Sequence, residues 1–140
     1  MQRKSGSDGA LYLAVGLGSA IGGTARWLLS DWMQAWAGGG FPWGTLFVNV
    51  TGSLLIGFYA ALTAPDGRVL AGPRQRHFVM TGICGGYTTF SIFSLEALQT
   101  AQAGRLALSG LHLSISLAAW LLAVWAGYAL ATRMNRLKRT

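Results

Sequence analysis

Long apolar runs separated by short polar or glycine-rich connections dominate the chain. Each run is about 20 residues or longer, the length that an α-helix needs to cross a bilayer. The runs cover residues 9–30, 43–63, 78–102 and 106–132, and the connections hold Gly38 to Gly40, residues 64–73 and Gly104. This pattern predicts an all-α membrane protein, with four transmembrane helices in a single integral membrane domain over residues 1–140.

The third run is interrupted by a polar, glycine-containing stretch. Residues 81–94 read TGICGGYTTFSIFS, so that two adjacent glycines are followed by threonine and serine hydroxyls. Unpaired backbone groups in hydrocarbon cost several kcal/mol each, and a break is tolerated only where it is buried or lines a site. We therefore expect a broken third helix, and broken helices at membrane depth mark ion or substrate sites.

Composition removes several other classes of protein. Hydrophobic residues make up 52% and charged residues 11% of the chain, against about 25% charged residues in soluble domains. The net charge is +7, but the basic residues cluster beside the apolar runs, where they meet lipid headgroups rather than nucleic acid. The spacing of a nucleophile and base, or of metal-binding side chains, is absent from the sequence, so we do not expect an enzyme.

Polar residues inside the runs are costly, and each is a candidate for function. Helical spacing places Thr45, Asn49 and Ser53 on one face of the second run, one turn apart. Ser109, His112 and Ser116 share a stripe of the fourth run in the same way. Such residues either hold helices together by hydrogen bonds or line a polar pathway. A lone histidine on such a face is more often simply hydrogen-bonded.

Two charged residues also fall inside runs. Arg26 is the basic residue of the first run, and Glu96 is the acidic residue late in the third. Both lie close enough to the end of a run to reach the membrane interface. The alternative is a structural or electrostatic role at a vestibule.

Hydrogen-bond donors without a full charge at mid-membrane suit a small anion. Several donors replace the hydration shell of such an ion, whereas a central Lys or Arg would hold it too tightly for release. The donors are Thr45, Asn49, Ser91, Ser94 and Ser116. The positive edges of Phe90 and Phe93 would add weak contacts, although such pairs are usually part of a core.

Three motifs together resemble the Fluc (CrcB-type) fluoride ion channel family. They are GGYTTFSIFS at residues 85–94, FVNVTGS at 47–53 and GGTAR at 22–26, in order and covering nearly the whole chain. The resemblance implies a fluoride-selective passive channel that exports fluoride from the cytoplasm and relieves its toxicity. It also implies an antiparallel homodimer with two pores in the lipid bilayer of the cell (inner) membrane.

The resemblance assigns roles to individual residues of the pathway. Asn49 matches the pore asparagine, and Phe90 and Phe93 match the two phenylalanines along the pore. The polar track that follows them is matched by Ser91, Ser94 and Ser116.

The resemblance also implies a structural sodium ion (Na+) on the two-fold axis of the dimer. The backbone carbonyls of Gly85 and Thr88 match its ligands, and two copies of two carbonyls give four oxygens. Arg26 matches an arginine near the vestibule, and Glu96 matches an acid after the motif. Thr45 and His112 are assigned to the same group of vestibule or structural residues.

The chain departs from the family pattern in two places and in its charge distribution. Ile92 stands where the family commonly has threonine, and His112 where it often has tyrosine. Nine basic residues on the side of the termini against two on the other predict cytoplasmic termini, whereas the family inserts in both orientations (dual topology).

Two alternatives come from other classes. A small dual-topology multidrug exporter also has four short helices, but it requires a membrane carboxylate in its first helix, which this chain lacks. A non-transporting membrane assembly subunit would explain the many glycines and tryptophans. It would not explain the cluster of donors at the break.

Overall fold

The computed structural model describes residues 5–136, which form helices and turns and contain no strand. Four of the nine basic residues on the side of the termini lie outside the described residues. They are Arg3, Lys4, Lys138 and Arg139. The helices are α1 (Ser5–Ala37), α2 (Trp43–Leu62), α3 (Pro73–Arg76), a π-helical segment (His77–Cys84), α4 (Gly85–Tyr87), α5 (Ser91–Gln102) and α6 (Leu106–Arg136).

The helices follow the predicted runs and extend beyond some of them. The first is longer at both ends than residues 9–30, and the third begins at Pro73, five residues before the predicted start. The connections use glycine where the backbone demands it. Gly38, Gly40 and Gly104 have positive φ angles, a conformation that costs glycine little, and Gly104 makes the corner between α5 and α6.

Three of these segments are long and apolar enough to cross a membrane: Trp43–Leu62, Pro73–Gln102 and Leu106–Arg136. α1 is not in this group, although its 33 residues reach about 50 Å. Its glycines, serines and threonines lower its hydropathy. The chain is an all-α membrane protein with a broken third span, and the transmembrane position of α1 stays a prediction.

Close helix packing holds the bundle together. α2 packs along α6, and α1 packs along the helical residues 73–87. A methyl group at Gly57 would collide with the backbone of Val124 on α6, and one at Gly22 would collide with the carbonyl of Ile83. Both glycines therefore allow two helices to approach closely.

The break of the third span lies later than the glycine pair indicated. Gly85 and Gly86 are helical in α4, Thr88 is extended with φ −90° and ψ 159°, and α5 begins at Ser91. The predicted break of the third helix is confirmed, and its non-helical residues are 88–90, within the stretch 81–94. Gly86 serves packing instead, because a methyl group there would collide with Ser19 of α1.

Candidate functional site

The side chain of Asn49 holds the break open. Its Nδ2 donates a hydrogen bond to the carbonyl of Thr89 at 2.8 Å, and its Oδ1 accepts one from the N–H of Thr89 at 2.7 Å. Both residues are buried, and a buried polar backbone group needs a partner. A side chain of α2 therefore replaces the backbone bonds that a continuous third helix would supply.

Four carbonyls lose their helical partners as a result, those of Gly85, Gly86, Tyr87 and Thr88. In a continuous helix the N–H of Thr89 would bond to the carbonyl of Gly85, and the N–H of Ile92 to that of Thr88. The first N–H bonds to Asn49, and the second bonds to the hydroxyl of Thr89 at 3.1 Å. The freed carbonyls include those of Gly85 and Thr88, which the family resemblance matches to sodium ligands.

A cavity of about 230 Å³ opens beside the break, and we call it the break cavity. Its lining includes Asn49, Ser53, Gly85, Thr88 and Phe90. Gly52 of α2 also lines it, and a methyl group at this position would collide with the side chain of Thr88. The small residue on α2 thus lets the extended backbone of the break approach. The break cavity combines an amide, hydroxyls, freed carbonyls and an aromatic ring.

The two phenylalanines of the motif have different surroundings. Phe93 is 2% exposed, whereas Phe90 is 68% exposed within the single chain and lines the break cavity. Their ring centroids lie 5.6 Å apart at an interplanar angle of 52°. Phe93 also packs against His112 at 4.9 Å and against Trp120 at 4.7 Å. Phe93 is therefore a core residue that separates the break cavity from the polar residues behind it.

Behind Phe93 lies a polar cluster made of the buried Thr45, His112 and Ser116 and the partly exposed Glu96. The hydroxyl of Thr45 donates to Glu96 Oε1 at 2.8 Å, and Glu96 Oε2 lies 3.7 Å from His112 Nε2. On the other side of the imidazole, Ser116 Oγ lies 3.4 Å from His112 Nδ1. Three helices, α2, α5 and α6, supply these four side chains, so that the two predicted polar stripes meet here.

An open cavity of about 380 Å³ leads to this polar cluster, and we call it the vestibule cavity. It lies between the end of α1, the start of α2 and the α5–α6 corner. Its polar lining is Ser30, Asp31, Gln34, Thr45, Glu96, Gln99, Thr100 and Arg105. The vestibule cavity, the polar cluster, Phe93 and the break cavity follow one another along the bundle.

Three of the predicted site residues, Ser91, Ser94 and Arg26, lie outside both cavities and outside the polar cluster. Ser91 is exposed and lies 3.3 Å from the hydroxyl of Thr89, while the exposed Ser94 donates to the carbonyl of Phe90 in its own helix at 2.8 Å. Arg26 is half-buried on α1, one turn beyond Gly22. The structure brings together Asn49, Phe90, Gly85 and Thr88 at the break, and Thr45, Glu96, His112 and Ser116 in the cluster, with Phe93 between the two.

Sequence reasoning missed two residues of this region. The hydroxyl of Thr89 accepts from the N–H of Ile92 in the first turn of α5, and the backbone of Thr89 makes both contacts with Asn49. A threonine shortly before a helix start is a recognisable signal. Trp120 lines the break cavity, and its buried indole N–H makes no hydrogen bond within residues 5–136. No spacing pattern in the sequence pointed to Trp120, because it lies in a continuous apolar run.

A broken membrane span beside a chain of uncharged donors defines this protein as a small polytopic membrane protein with a polar route through its bundle. The family model for CrcB-like protein, Camphor Resistance (CrcB), matches residues 13–128. The chain belongs to this family. It is 56% identical over 131 residues to "Fluoride-specific ion channel FluC 1" of Rhodopseudomonas palustris, covering 94% of this chain and 93% of the relative.

Two further relatives carry similar names. "Fluoride-specific ion channel FluC 1" of Bradyrhizobium diazoefficiens is 52% identical, covering 93% of this chain and 90% of the relative. "Fluoride-specific ion channel FluC" of Opitutus terrae is 50% identical, covering 92% of this chain and 98% of the relative. The match therefore extends over nearly the full length of these proteins, and it includes the broken third span.

Proposed function

We propose that this protein is a passive, fluoride-selective channel that lets fluoride leave the cytoplasm and so relieves its toxicity. The observation that carries the proposal is the identity of 50–56% to relatives named fluoride-specific ion channels over more than nine tenths of the chain. The donor-lined break cavity agrees with it, because Asn49 is buried there beside hydroxyls and an aromatic edge. Uncharged donors replace water around an anion without trapping it.

The working unit in this proposal is an antiparallel homodimer with two pores in the cell (inner) membrane. Phe90 is a large apolar side chain left 68% exposed beside an open cavity that also contains the freed carbonyls. A second copy of the chain would cover this surface and complete the wall of each pathway. Insertion in both orientations would bring two such copies together, in spite of the bias of basic residues toward one side.

A structural sodium ion fits the break. Hard cations take oxygen ligands, and the break frees the carbonyl oxygens of Gly85 and Thr88 beside the break cavity. A two-fold axis through this point would supply four carbonyls from two subunits. Sodium would neutralise the partial charges of these oxygens and tie the two breaks together.

Fluoride efflux from liposomes tests the proposed function. Purified protein is reconstituted into vesicles loaded with potassium fluoride or potassium chloride, and efflux is started with valinomycin and followed with an ion-selective electrode. We expect rapid fluoride release and no chloride release above that of protein-free vesicles. Equal release of both anions, or none, would contradict the proposal.

The alternatives have less support. A multidrug exporter would require an acidic residue within α1, and Asp8 and Asp31 lie near its two ends. The curated relatives cited above are named as ion channels, which disfavours a non-transporting subunit. Release of fluoride alone separates all three possibilities, because neither alternative predicts it.

A further inference from the structure

The polar cluster contains a histidine and a carboxylate that face each other without a hydrogen bond. His112 Nε2 lies 3.7 Å from Glu96 Oε2, and neither atom has a hydrogen-bond partner within the described residues. The side chain of His112 is 1% exposed and that of Glu96 is 29% exposed. Buried polar atoms normally find partners, so these two atoms call for an explanation beyond packing.

The remaining polar atoms of the cluster are already used. Glu96 Oε1 accepts from Thr45, and His112 Nδ1 lies beside the hydroxyl of Ser116. The imidazole is held between two rings, with Phe93 at 4.9 Å and Phe41 at 5.5 Å. A proton is therefore the one small species that can fill the gap between Nε2 and Oε2, and it would do so without moving the surrounding helices.

Protons can reach the pair from the vestibule cavity, which Glu96 lines. The charged groups that share this cavity are Asp31 from α1 and Arg105 from the α5–α6 corner, while α2 contributes Thr45. Arg105 is directed toward the carbonyl of Gly40, at 3.4 Å. The negative charge of Asp31 and the positive charge of Arg105 offset each other. The charge of the His112–Glu96 pair therefore determines the local net charge next to Thr45.

The ring of Phe93 separates the His112–Glu96 pair from the break cavity. Phe93 contacts His112 on one side and lies 5.6 Å from Phe90, centroid to centroid, on the other. A direct route from the break cavity to the vestibule cavity passes the polar cluster, because Phe93 lies between Phe90 and His112, and Glu96 lines the vestibule cavity. The net charge of the cluster therefore acts on every anion that takes this route.

We propose that His112 and Glu96 form a proton-binding site inside the anion pathway, and that its occupancy sets the rate of anion passage. This inference rests on the proposed channel function. Without the proton the pair carries one negative charge, which repels an anion. With one proton the pair is neutral, whichever residue holds it, and an N–H or O–H donor becomes available. Fluoride conductance consequently rises as the pH falls.

Fluoride efflux measured at equal pH on both sides of the vesicles tests this site. As the pH falls from 8 to 5 we expect flux per protein to increase about threefold to tenfold, because protonation of the pair removes a unit charge whose repulsion raises the energy of a nearby anion. Protein-free vesicles are subtracted at each pH, since hydrogen fluoride crosses lipid unaided. His112→Gln should remove the dependence on pH, and Glu96→Gln should remove the repulsion and raise flux at pH 8.

The other histidine of the chain provides a matched control. His77 is exposed at the start of the third span and bonds to Thr81 at 3.3 Å, so that His77→Gln should keep the full pH dependence. A pH dependence that survives in His112→Gln would overturn the proposal. A flat profile in the unmodified protein, with fluoride flux present, would overturn it and leave the channel function intact. Absence of fluoride flux at every pH would instead refute the channel function.

Direct titration covers the case in which His112→Gln does not fold. In His77→Gln protein, His112 is the one remaining histidine, and its imidazole nitrogens can be followed by NMR in 15N-histidine-labelled, reconstituted protein. We expect a protonation step between pH 5 and pH 9 whose midpoint changes in the Glu96→Gln background. An imidazole that keeps one state across this range would refute the proton-binding site.

Discussion

Replacement of Asn49 by aspartate tests the contact that holds the break open. Aspartate has nearly the same shape, and one of its oxygens can still accept from the N–H of Thr89, as Oδ1 does at 2.7 Å. The other oxygen then faces the carbonyl of Thr89, where Nδ2 now donates at 2.8 Å. The change therefore removes one donor, places two acceptors against each other and adds a negative charge beside the break cavity.

The size of each effect follows from this geometry. A buried carbonyl that loses its partner costs about 1–3 kcal/mol of stability. A unit charge about 4 Å from a passing anion raises the energy of that anion by about 4 kcal/mol at an effective dielectric constant of 20. A barrier raised by that amount slows passage about a thousandfold. We expect a protein that still assembles, melts at a lower temperature and releases almost no fluoride.

The assay is fluoride efflux from liposomes, normalised to folded protein measured by size-exclusion chromatography. Thr51→Val is the matched control, because Thr51 lies half a turn further along α2, bonds to the hydroxyl of Tyr87 at 2.9 Å and lines neither cavity. It should lose stability and keep its flux. Undiminished fluoride flux in folded Asn49→Asp would refute the role of the amide in the pathway.

Three further predictions concern the same region. Replacing sodium by N-methyl-D-glucamine should lower the melting temperature of the reconstituted protein, because it removes about 2.7 kcal/mol of stability if sodium was present at 100 times its dissociation constant; an unchanged melting temperature would argue against the ion. Phe93→Ile should lower both the melting temperature and the flux, whereas Phe90→Ile should lower flux with a smaller change in melting temperature, because only Phe93 is buried in the subunit; normal flux per folded protein in both would exclude a ring-edge mechanism. Gly52→Ala should cost about 1–3 kcal/mol by overpacking against Thr88, while Gly16→Ala, at an open position on α1, should be neutral or stabilising in thermal melts.

The apolar runs predicted the helices well because lipid-length hydrophobic segments have few alternatives to a helix. The spacing of Thr45 and Asn49 likewise predicted a shared buried face, since helical period alone determines which residues align. The glycine corner at Gly104 followed from local backbone geometry. All of these features depend on residues that are close together along the chain.

The position of the break could not be read in the same way. The glycine pair indicated residues 85–88, but the helix ends where Asn49, 40 residues away, offers the backbone of Thr89 a competing partner. The pairing of Glu96 with His112 was missed for the same reason. The sequence placed them on two separate helices, and only the packing of α5 against α6 brings the carboxylate and the imidazole face to face.

The two bonds between Asn49 and Thr89 also fix which way the amide points. Rotation of the amide by 180° would place oxygen against oxygen and nitrogen against an N–H, so that a flipped form is excluded by both contacts at once. The second N–H of Nδ2 is consequently an immobile donor whose direction was settled when the chain folded. An anion that arrives beside Asn49 meets an N–H dipole that needs no reorientation. Because this donor cannot move toward the ion, selectivity between anions at this point depends on whether the anion is small enough to reach it.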